Sequence, residues 1–500
     1  MASATTTDVF NYRYHHGTNL GTIFVLEKWL SPSMYVQGSA GDSELDAVRA
    51  SLASSGLDAT RAKWQNHWSS AISDDDFAWL TGQARCNMIR LPIGWFTLGP
   101  SFCQGTAFDG EPGQVYVNAW SAVRDLVRRC HDRGIGVLLD LHAVPGGANG
   151  EIHSGTSSGR ADLWGNGDNL DRARRCLVFI TQEVAAGMPG VMGIQLCNEA
   201  TWAAPGMYEW YDSVIGAIND VNKTVPVYIS DSWNLSPALD YIQRKNRSVS
   251  NPVIVDTHKY YTFAASDQSQ SPQQILDRIP NELNELQSKQ GNVFDNGAAT
   301  VFIGEYSCVM SEPTWSKVSP NDRPGLTRQF GQAQSRRWQQ FGGSSFWTFK
   351  MDWMDGGGWG FKQQTNEGAI IPPPSMMLPA QEIRNRIRAA GEQHQRLQQT
   401  ALREHSEFWD RTAPGTRFEH WRFGQGWDLG WNDAQFFFGA RAQGGMPGGG
   451  DGGDKIGCLD VWVQKRMRET GSMKEQAAFG WEWEHGFRKG VADFYSTVGV

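Results

Sequence analysis

The sequence predicts an α/β fold: a (β/α)8 TIM barrel followed by an additional, mainly helical C-terminal region. Three observations predict it. Eight short apolar runs of strand length alternate with helix-length segments between residues 15 and 350. Most of these runs are apolar almost throughout, as parallel strands covered on both faces must be. The alternation ends near Met376, where a polar, helix-forming stretch takes over. Repeated βα units over about 340 residues close into a barrel whose reacting groups sit at the C-terminal ends of its strands.

In chain order the strand candidates are TIFVLEKWL at 22–30, NMIRLPIGW at 87–95, GVLLDLH at 136–142 and GIQLCNE at 193–199. They continue with VPVYISDS at 225–232, PVIVDTHKY at 252–260, TVFIGEYS at 300–307 and SSFWTFK at 344–350. Helical segments such as 119–134 lie between them, and a Ser/Ala/Asp-rich insertion at 37–76 is expected to be helical beside the first βα unit. Gly and Pro mark 352–375 as a long loop after the eighth strand. The expected division is a catalytic barrel over 1–375 and a helical region over 376–500. In that second region WRFGQGWDLGWND (421–433) recurs as WEWEHGFRKGVAD (481–493). Phe423, Trp427 and Trp431 share one helical face and recur as Trp483, Phe487 and Val491. Gly426 and Gly430 recur as Gly486 and Gly490, a small face that lets two helices approach closely. The reading is structural packing against the barrel. The Gly-rich 444–457 is expected to be a mobile loop.

Composition narrows the function. The 500 residues carry a net charge of −8, so nothing offers an excess of cations to nucleic acid. No run of about 18 apolar residues exists to span a membrane. The first 16 residues lack an apolar signal core, which gives a cytoplasmic expectation. Seven cysteines are scattered without a C-x-x-C pair, and no H-x-H or H-E-x-x-H pattern occurs, so neither a metal nor another cofactor is expected. Twenty-two tryptophans could stack on sugar rings or fill a core. Oligomeric state is not legible.

The polar residues that close the apolar runs are Glu27, Arg90, His142, Asn198 with Glu199, His258 with Tyr260, Glu305 and Trp347. Two carboxylates converging on one cleft suit glycoside hydrolysis, which needs one protonated and one ionised carboxyl. Glu199 would protonate the leaving oxygen and Glu305 would attack the anomeric carbon. Arg90 and Tyr260 would keep Glu305 ionised, Asn198 would bind the sugar 2-OH, and Trp347 would form a stacking floor. His142 alone reads as a satisfied core histidine rather than a metal ligand.

The ordered set HHGTNLGTIFVLEKWLSPSMY, IRLPIGW, LLDLHAVPGGANG, NEA, VDTHKYYTF, FIGEYS and FWTFKMD resembles glycoside hydrolase family 5, nearest its fungal exo-β-1,3-glucanase branch, over residues 15–375. The resemblance implies a retaining mechanism with Glu199 as acid/base and Glu305 as nucleophile. It implies supporting, substrate-binding roles for Glu27, Arg90, His142, Asn149, Asn198, His258, Tyr260 and Trp347. It departs from the family pattern in three places. N-E-P is Asn198-Glu199-Ala200, and G-E-W is Gly304-Glu305-Tyr306. The Asp that the branch places two positions after its Asn-Gly pair is Ile152, flanked by Glu151 and His153, which leaves the sugar and linkage open.

The resulting expectation is a retaining β-glycosidase acting on β-glucosides from the non-reducing end, with β-1,3-glucan or gluco-oligosaccharides as substrate. Two alternatives stand beside it. One is an intracellular β-glucosidase or transglycosylase for a small glucoconjugate such as a glycolipid. The other, from a different class, is an inactive carbohydrate-binding barrel.

Overall fold

The computed structural model describes residues 3–474 and 477–500. Eight parallel strands form a closed barrel in sequence order. They are β1 (His15–Asn19), β2 (Met88–Gly94), β3 (Gly136–Ala143), β4 (Val191–Gln195), β5 (Val227–Ser230), β6 (Val253–Tyr261), β7 (Val301–Met310) and β8 (Gly343–Phe346). Pairing of His15 with Gly343 through Thr18 with Phe346 closes the ring. Helices at Ala119–His131, Gly167–Gly187, Met207–Val221, Leu235–Ser248 and Arg323–Trp338 cover the outside. One apolar core lies between strands and helices, as the near-continuous apolar runs require. All seven cysteines are buried in the reduced state.

From the second run onward each predicted run overlaps a strand. The first does not. β1 is the polar HHGTN, not TIFVLEKWL. The physical reason is that its residues are held by polar contacts: Asn19 reaches the barrel centre and bonds to Arg90, and His16 bonds the Ala84 carbonyl. The apolar residues Ile23, Phe24, Val25 and Leu26 of the run at 22–30 instead pack outside, with Trp64 and Trp68 of the inserted helix Glu44–Ser69. There Phe24 stacks on Trp68 at 5.9 Å, and the buried Glu44 carboxylate accepts from the Leu26 amide at 2.5 Å and from Trp64 Nε1 at 2.8 Å. A second difference concerns Glu305, which lies in the middle of β7 rather than at its end. The segment 352–375 contains the short helix Phe361–Asn366.

The C-terminal helices close the floor of the barrel, at the N-terminal ends of the strands. Met88, Leu138, Met192, Tyr228, Ile254 and Phe302 of the strands share one apolar cluster with Trp427, Phe437, Trp462 and Phe494. Glu484 accepts the Val293 and Phe294 amides at 2.9 and 2.8 Å. The repeated helices Trp421–Gly439 and Gly480–Val498 lie side by side in register. A Cβ on Gly426 or Gly430 would stand 2.1 Å from the Trp483 or Phe487 carbonyl oxygen, and the reverse pairs are equally tight. The C-terminal end of the Gly-rich segment 444–457 is anchored on the barrel floor. Lys455 accepts the Tyr14 amide at 2.7 Å, and Asp454 pairs with the buried Arg13 at 3.3 Å and with Arg441 at 2.8 Å.

Candidate active site

The barrel centre is organised by one guanidinium. Arg90, on β2, is fully buried. Its Nη1 donates to Asn19 Oδ1 at 3.0 Å and Glu305 Oε1 at 2.8 Å. Nη2 donates to Asn198 Oδ1 at 2.8 Å and lies 3.0 Å from Asp140 Oδ2. Nε donates to Gln195 Oε1 at 2.9 Å, and Gln195 Nε2 donates onward to Asp256 Oδ2 at 2.7 Å. Removing the Arg90 side chain would leave three carboxylates facing one another in a low dielectric.

Two imidazoles are oriented from this centre. His142 Nδ1 lies 2.7 Å from Asp140 Oδ2 and its Nε2 3.2 Å from Asn198 Nδ2. An amide nitrogen can only donate, so Nε2 accepts and Nδ1 carries the proton. Burial holds His142 far below the usual imidazole value. His258 Nε2 lies 3.0 Å from Asp256 Oδ2, and its Nδ1 lies 2.7 Å from Glu199 Oε1 and 3.5 Å from Glu305 Oε2. Burial opposes its charge, yet Glu305 and Asp256 raise it well above the ordinary range. Gly304 makes room for this arrangement: a Cβ there would stand 1.9 Å from Asp256 Oδ1.

The two glutamates face one another across His258, with ligand-type oxygens within 4.8 Å. Tyr260 donates to Glu305 Oε2 at 2.7 Å. Burial pushes Glu305 up to about 7, against the pull of His258 and Arg90. Glu199 is buried too, but the His258 hydrogen bond and charge bring it down to about 2. The three groups therefore titrate as one unit. Glu199 itself sits on a left-handed backbone, φ 42°. Asn149 Nδ2 donates to its carbonyl at 3.0 Å, and Ser230 Oγ accepts the next amide at 3.1 Å. A non-glycine residue stays there only because the surroundings over-determine it.

Of the residues expected from sequence, Glu27, His142, Asn198, Glu199, His258, Tyr260, Glu305 and Trp347 line one cavity of about 880 Å³, within the ~300–1,000 Å³ usual for small-ligand sites. Trp347 stacks on His142 at 5.9 Å and 17°. Arg90 lies beneath the cavity and acts through Glu305 and Asn198. Asn149 holds the Glu199 backbone instead of lining the cavity. Glu27 lies on the loop after β1, where Trp29 Nε1 donates to it at 2.8 Å and burial lifts it to about 7. Sequence reasoning missed Asn19, Asp140, Gln195, Asp256 and the wall of Trp29, Trp233, Phe263 and Trp359. A signal existed for two of them: DLH and DTH repeat an Asp two residues before a His, which puts both on one face of a strand.

Two groups among the described residues gather ligand-type atoms closely enough for a cation. In Glu199, His258 and Glu305 the imidazole serves as the proton donor between the carboxylates. In His405, His420 and Glu482 both imidazoles bond directly to Glu482 Oε2, at 3.0 and 2.7 Å, in the C-terminal helices.

A closed parallel barrel with an imidazole-bridged carboxylate pair in its mouth defines the class as glycoside hydrolase. Residues 50–322 match the family described as Cellulase (glycosyl hydrolase family 5), and the chain belongs to that family. Residues 390–498 match the Glucan 1,3-beta-glucosidase 3 C-terminal domain. Glucan 1,3-beta-glucosidase 3 of Schizosaccharomyces pombe is 30% identical over 488 residues, covering 96% of this chain and 94% of that protein. An uncharacterized glycosyl hydrolase of Saccharomyces cerevisiae is 28% identical over 503 residues, 97% of this chain and 92% of its own. The solved rutinosidase from Aspergillus niger shares the fold, with a TM-score of 0.54 at 18% identity over 72% of this chain and 99% of that one.

Proposed function

We propose that the protein is a retaining β-glucosidase that removes glucose from the non-reducing end of β-1,3-linked glucans or gluco-oligosaccharides. The observation that carries the mechanism is the closeness of the carboxylates: facing oxygens of Glu199 and Glu305 lie within 4.8 Å, a spacing that suits a retaining pair. Inverting enzymes separate the pair by roughly 6.5–9.5 Å and retaining enzymes by about 5–5.5 Å. The linkage rests on the similarity to the glucan 1,3-beta-glucosidase of S. pombe.

In the first step Glu305 attacks the anomeric carbon, the glycosidic bond breaks, and Glu199 gives its proton to the leaving oxygen. In the second, Glu199 takes a proton from water, the water oxygen attacks the same carbon, and the bond to Glu305 breaks. Arg90 and Tyr260 hold Glu305 in line and stabilise it as the leaving carboxylate. The proton for the first step is already in place. His258 and Glu199 share it across 2.7 Å, so a charged imidazole beside a carboxylate and a neutral imidazole beside a carboxylic acid hold the same number of protons. Asn198, fixed by Arg90 and His142, presents its amide to the sugar 2-OH.

Proton NMR of the first product decides the stereochemistry: β-glucose from a β-glucoside is expected, and α-glucose would overturn the reading. A fluorinated glucoside that traps the intermediate should label Glu305. Glucose release from β-1,3-linked oligosaccharides, compared with β-1,6-linked ones and aryl glucosides, tests the linkage.

The cavity rim favours a second reading, a small glucoconjugate with an apolar aglycone. Phe263, Trp233, Trp353 and Trp29 remain 67%, 48%, 41% and 39% exposed around the mouth. Faster release from a glucosyl lipid than from any oligosaccharide would favour it.

A further inference from the structure

The mechanism leaves one imidazole beside Glu199 without a task. His153 belongs to the turn Ile152–Ser154, between β3 and the next helix. Its Nε2 stands 3.4 Å from Glu199 Oε2, while His258 holds Oε1 at 2.7 Å. The carboxyl is thus flanked on both oxygens. His153 lines the active-site cavity and packs edge-on against His142 at 5.0 Å. Its other nitrogen, Nδ1, is buried and has no hydrogen-bond partner among the described residues. A proton on Nδ1 would be a buried donor without an acceptor, which costs about 1–3 kcal/mol. The tautomer that avoids this cost carries the proton on Nε2, the nitrogen that stands nearest Glu199. His142 cannot share the task, because Asp140 and Asn198 occupy both of its nitrogens.

We propose that His153 is a positioning residue for Glu199, a polar imidazole edge beside Oε2 that favours the carboxylate electrostatically and so assists the second half of the reaction more than the first. This rests on the assignment of Glu199 as acid and base. In the second half Glu199 must be ionised to take a proton from water; in the first it must be protonated. A polar edge that favours the carboxylate helps the one and hinders the other. Charged and titratable groups face Glu199 from every side. They are His258 and, through it, Glu305, with Arg90 beneath, His142 from β3, Glu27 from the loop after β1, and Glu151 beside His153. Glu27 and Glu305 favour the protonated acid. His153 works against them on an oxygen that His258 does not hold.

The test compares His153→Phe and His153→Gln with the parent across pH, on two substrates. Phenyl β-glucoside needs acid assistance to leave. 2,4-Dinitrophenyl β-glucoside does not, so its turnover reports the second step. For His153→Phe the alkaline limb of kcat/KM on the phenyl glucoside should move up by about 0.5–1 pH unit. On the dinitrophenyl glucoside kcat should fall by about 3–10-fold. His153→Gln keeps a polar edge and should stay near the parent on both. Should Phe not be accommodated, His153→Ala carries the same expectation. An unmoved alkaline limb, with both substrates slowed in equal proportion, would overturn the proposal and leave His153 a packing residue. Glu199→Ala separates this from the parent reading. If it keeps full activity on the phenyl glucoside, the acid assignment fails, and the proposal for His153 falls with it. If it loses that activity while the limb ignores His153, only the inference about His153 fails.

Discussion

The mouth and the floor of this barrel are the two ends of the same strands, and they treat buried charge in opposite ways. At the floor buried carboxylates are paired with close arginines, and among the described ones only Asp433, beside Arg466, is still lifted by burial, to about 6. Arg13 and Arg441 flank Asp454, which their charges draw down to about 2 in spite of burial. Arg488 holds Asp460 and Glu484, at 2.7 and 2.8 Å. At the mouth Arg90 faces Asp140, Asp256 and Glu305 together. Burial there lifts Asp140, Glu305 and Glu27 to about 7 each. A balanced pair stabilises the fold and does no chemistry. An under-compensated cluster costs stability and holds protons that can move near neutral pH. The difference teaches that the floor is built to stay and the mouth to react.

The sharpest break of the comparison is in activity. Glu305→Ala should reduce kcat/KM to about one part in 10⁴ or less, because no other group can form the covalent intermediate. Floor variants that fold should keep full activity per molecule. Steady-state kinetics on an aryl β-glucoside checks both. The next effect is on stability. Asp454→Ala leaves Arg13 and Arg441 without their carboxylate and should cost about 3–5 kcal/mol in denaturant unfolding. Because Asp454 lies below its ordinary value, this contribution is complete above about pH 4 and is lost as pH falls toward about 2. The parent and Asp454→Ala should therefore converge in stability under acid.

The third effect belongs to the glycines of the paired helices. Gly430→Val pushes a branched side chain against the Phe487 carbonyl, where even a Cβ would stand 2.1 Å away. About 1–3 kcal/mol of destabilisation is expected, more if the helices separate, with kcat/KM of the folded enzyme unchanged. If catalysis fell in step with stability, floor and mouth would not be independent.

How much of this was legible in the sequence follows the same division. β2 to β8 and both glutamates were legible, because buried parallel strands are apolar and the reacting groups interrupt them. β1 was not, because its five residues contain no apolar signal, Asn19 serving the polar centre and His16 the Ala84 carbonyl, while a stronger apolar run lies just downstream. The partners Asp140, Gln195 and Asp256 sit inside runs read as core, where one polar residue among apolar ones does not announce its neighbours. Their contacts join strands 50 or more residues apart, as between Gln195 and Asp256. The glycine pairing at the floor was legible as a repeat, since both helices carry the same spacing. The anchoring at the end of 444–457 was not, because Gly-rich composition reads as freedom, while buried Asp454 ties that end to Arg13 from more than 400 positions away.

The smallest expected effect tests the contrast most directly, because it predicts that removing a charge from the mouth stabilises the protein. Burial raises Glu305, within the unit it forms with Glu199 and His258, to about 7 in the folded state, against about 4.5 when unfolded. The folded chain therefore binds more protons between these values, and stability falls as pH rises through that window. Glu305→Gln removes the charge, keeps an oxygen to accept from Arg90 and turns its amide nitrogen to Tyr260, whose hydroxyl oxygen can accept. Arg90 still has Asp140 at 3.0 Å and Asp256 at 3.7 Å. At pH 8 the variant should be more stable than the parent by about 1–2 kcal/mol, a few degrees in melting temperature, and at pH 4.5 the gain should vanish. Calorimetry at the two pH values reads the sign. A variant less stable than the parent at both would mean that Arg90 and Glu305 form a stabilising pair like those below, and that the two ends of the barrel handle charge alike.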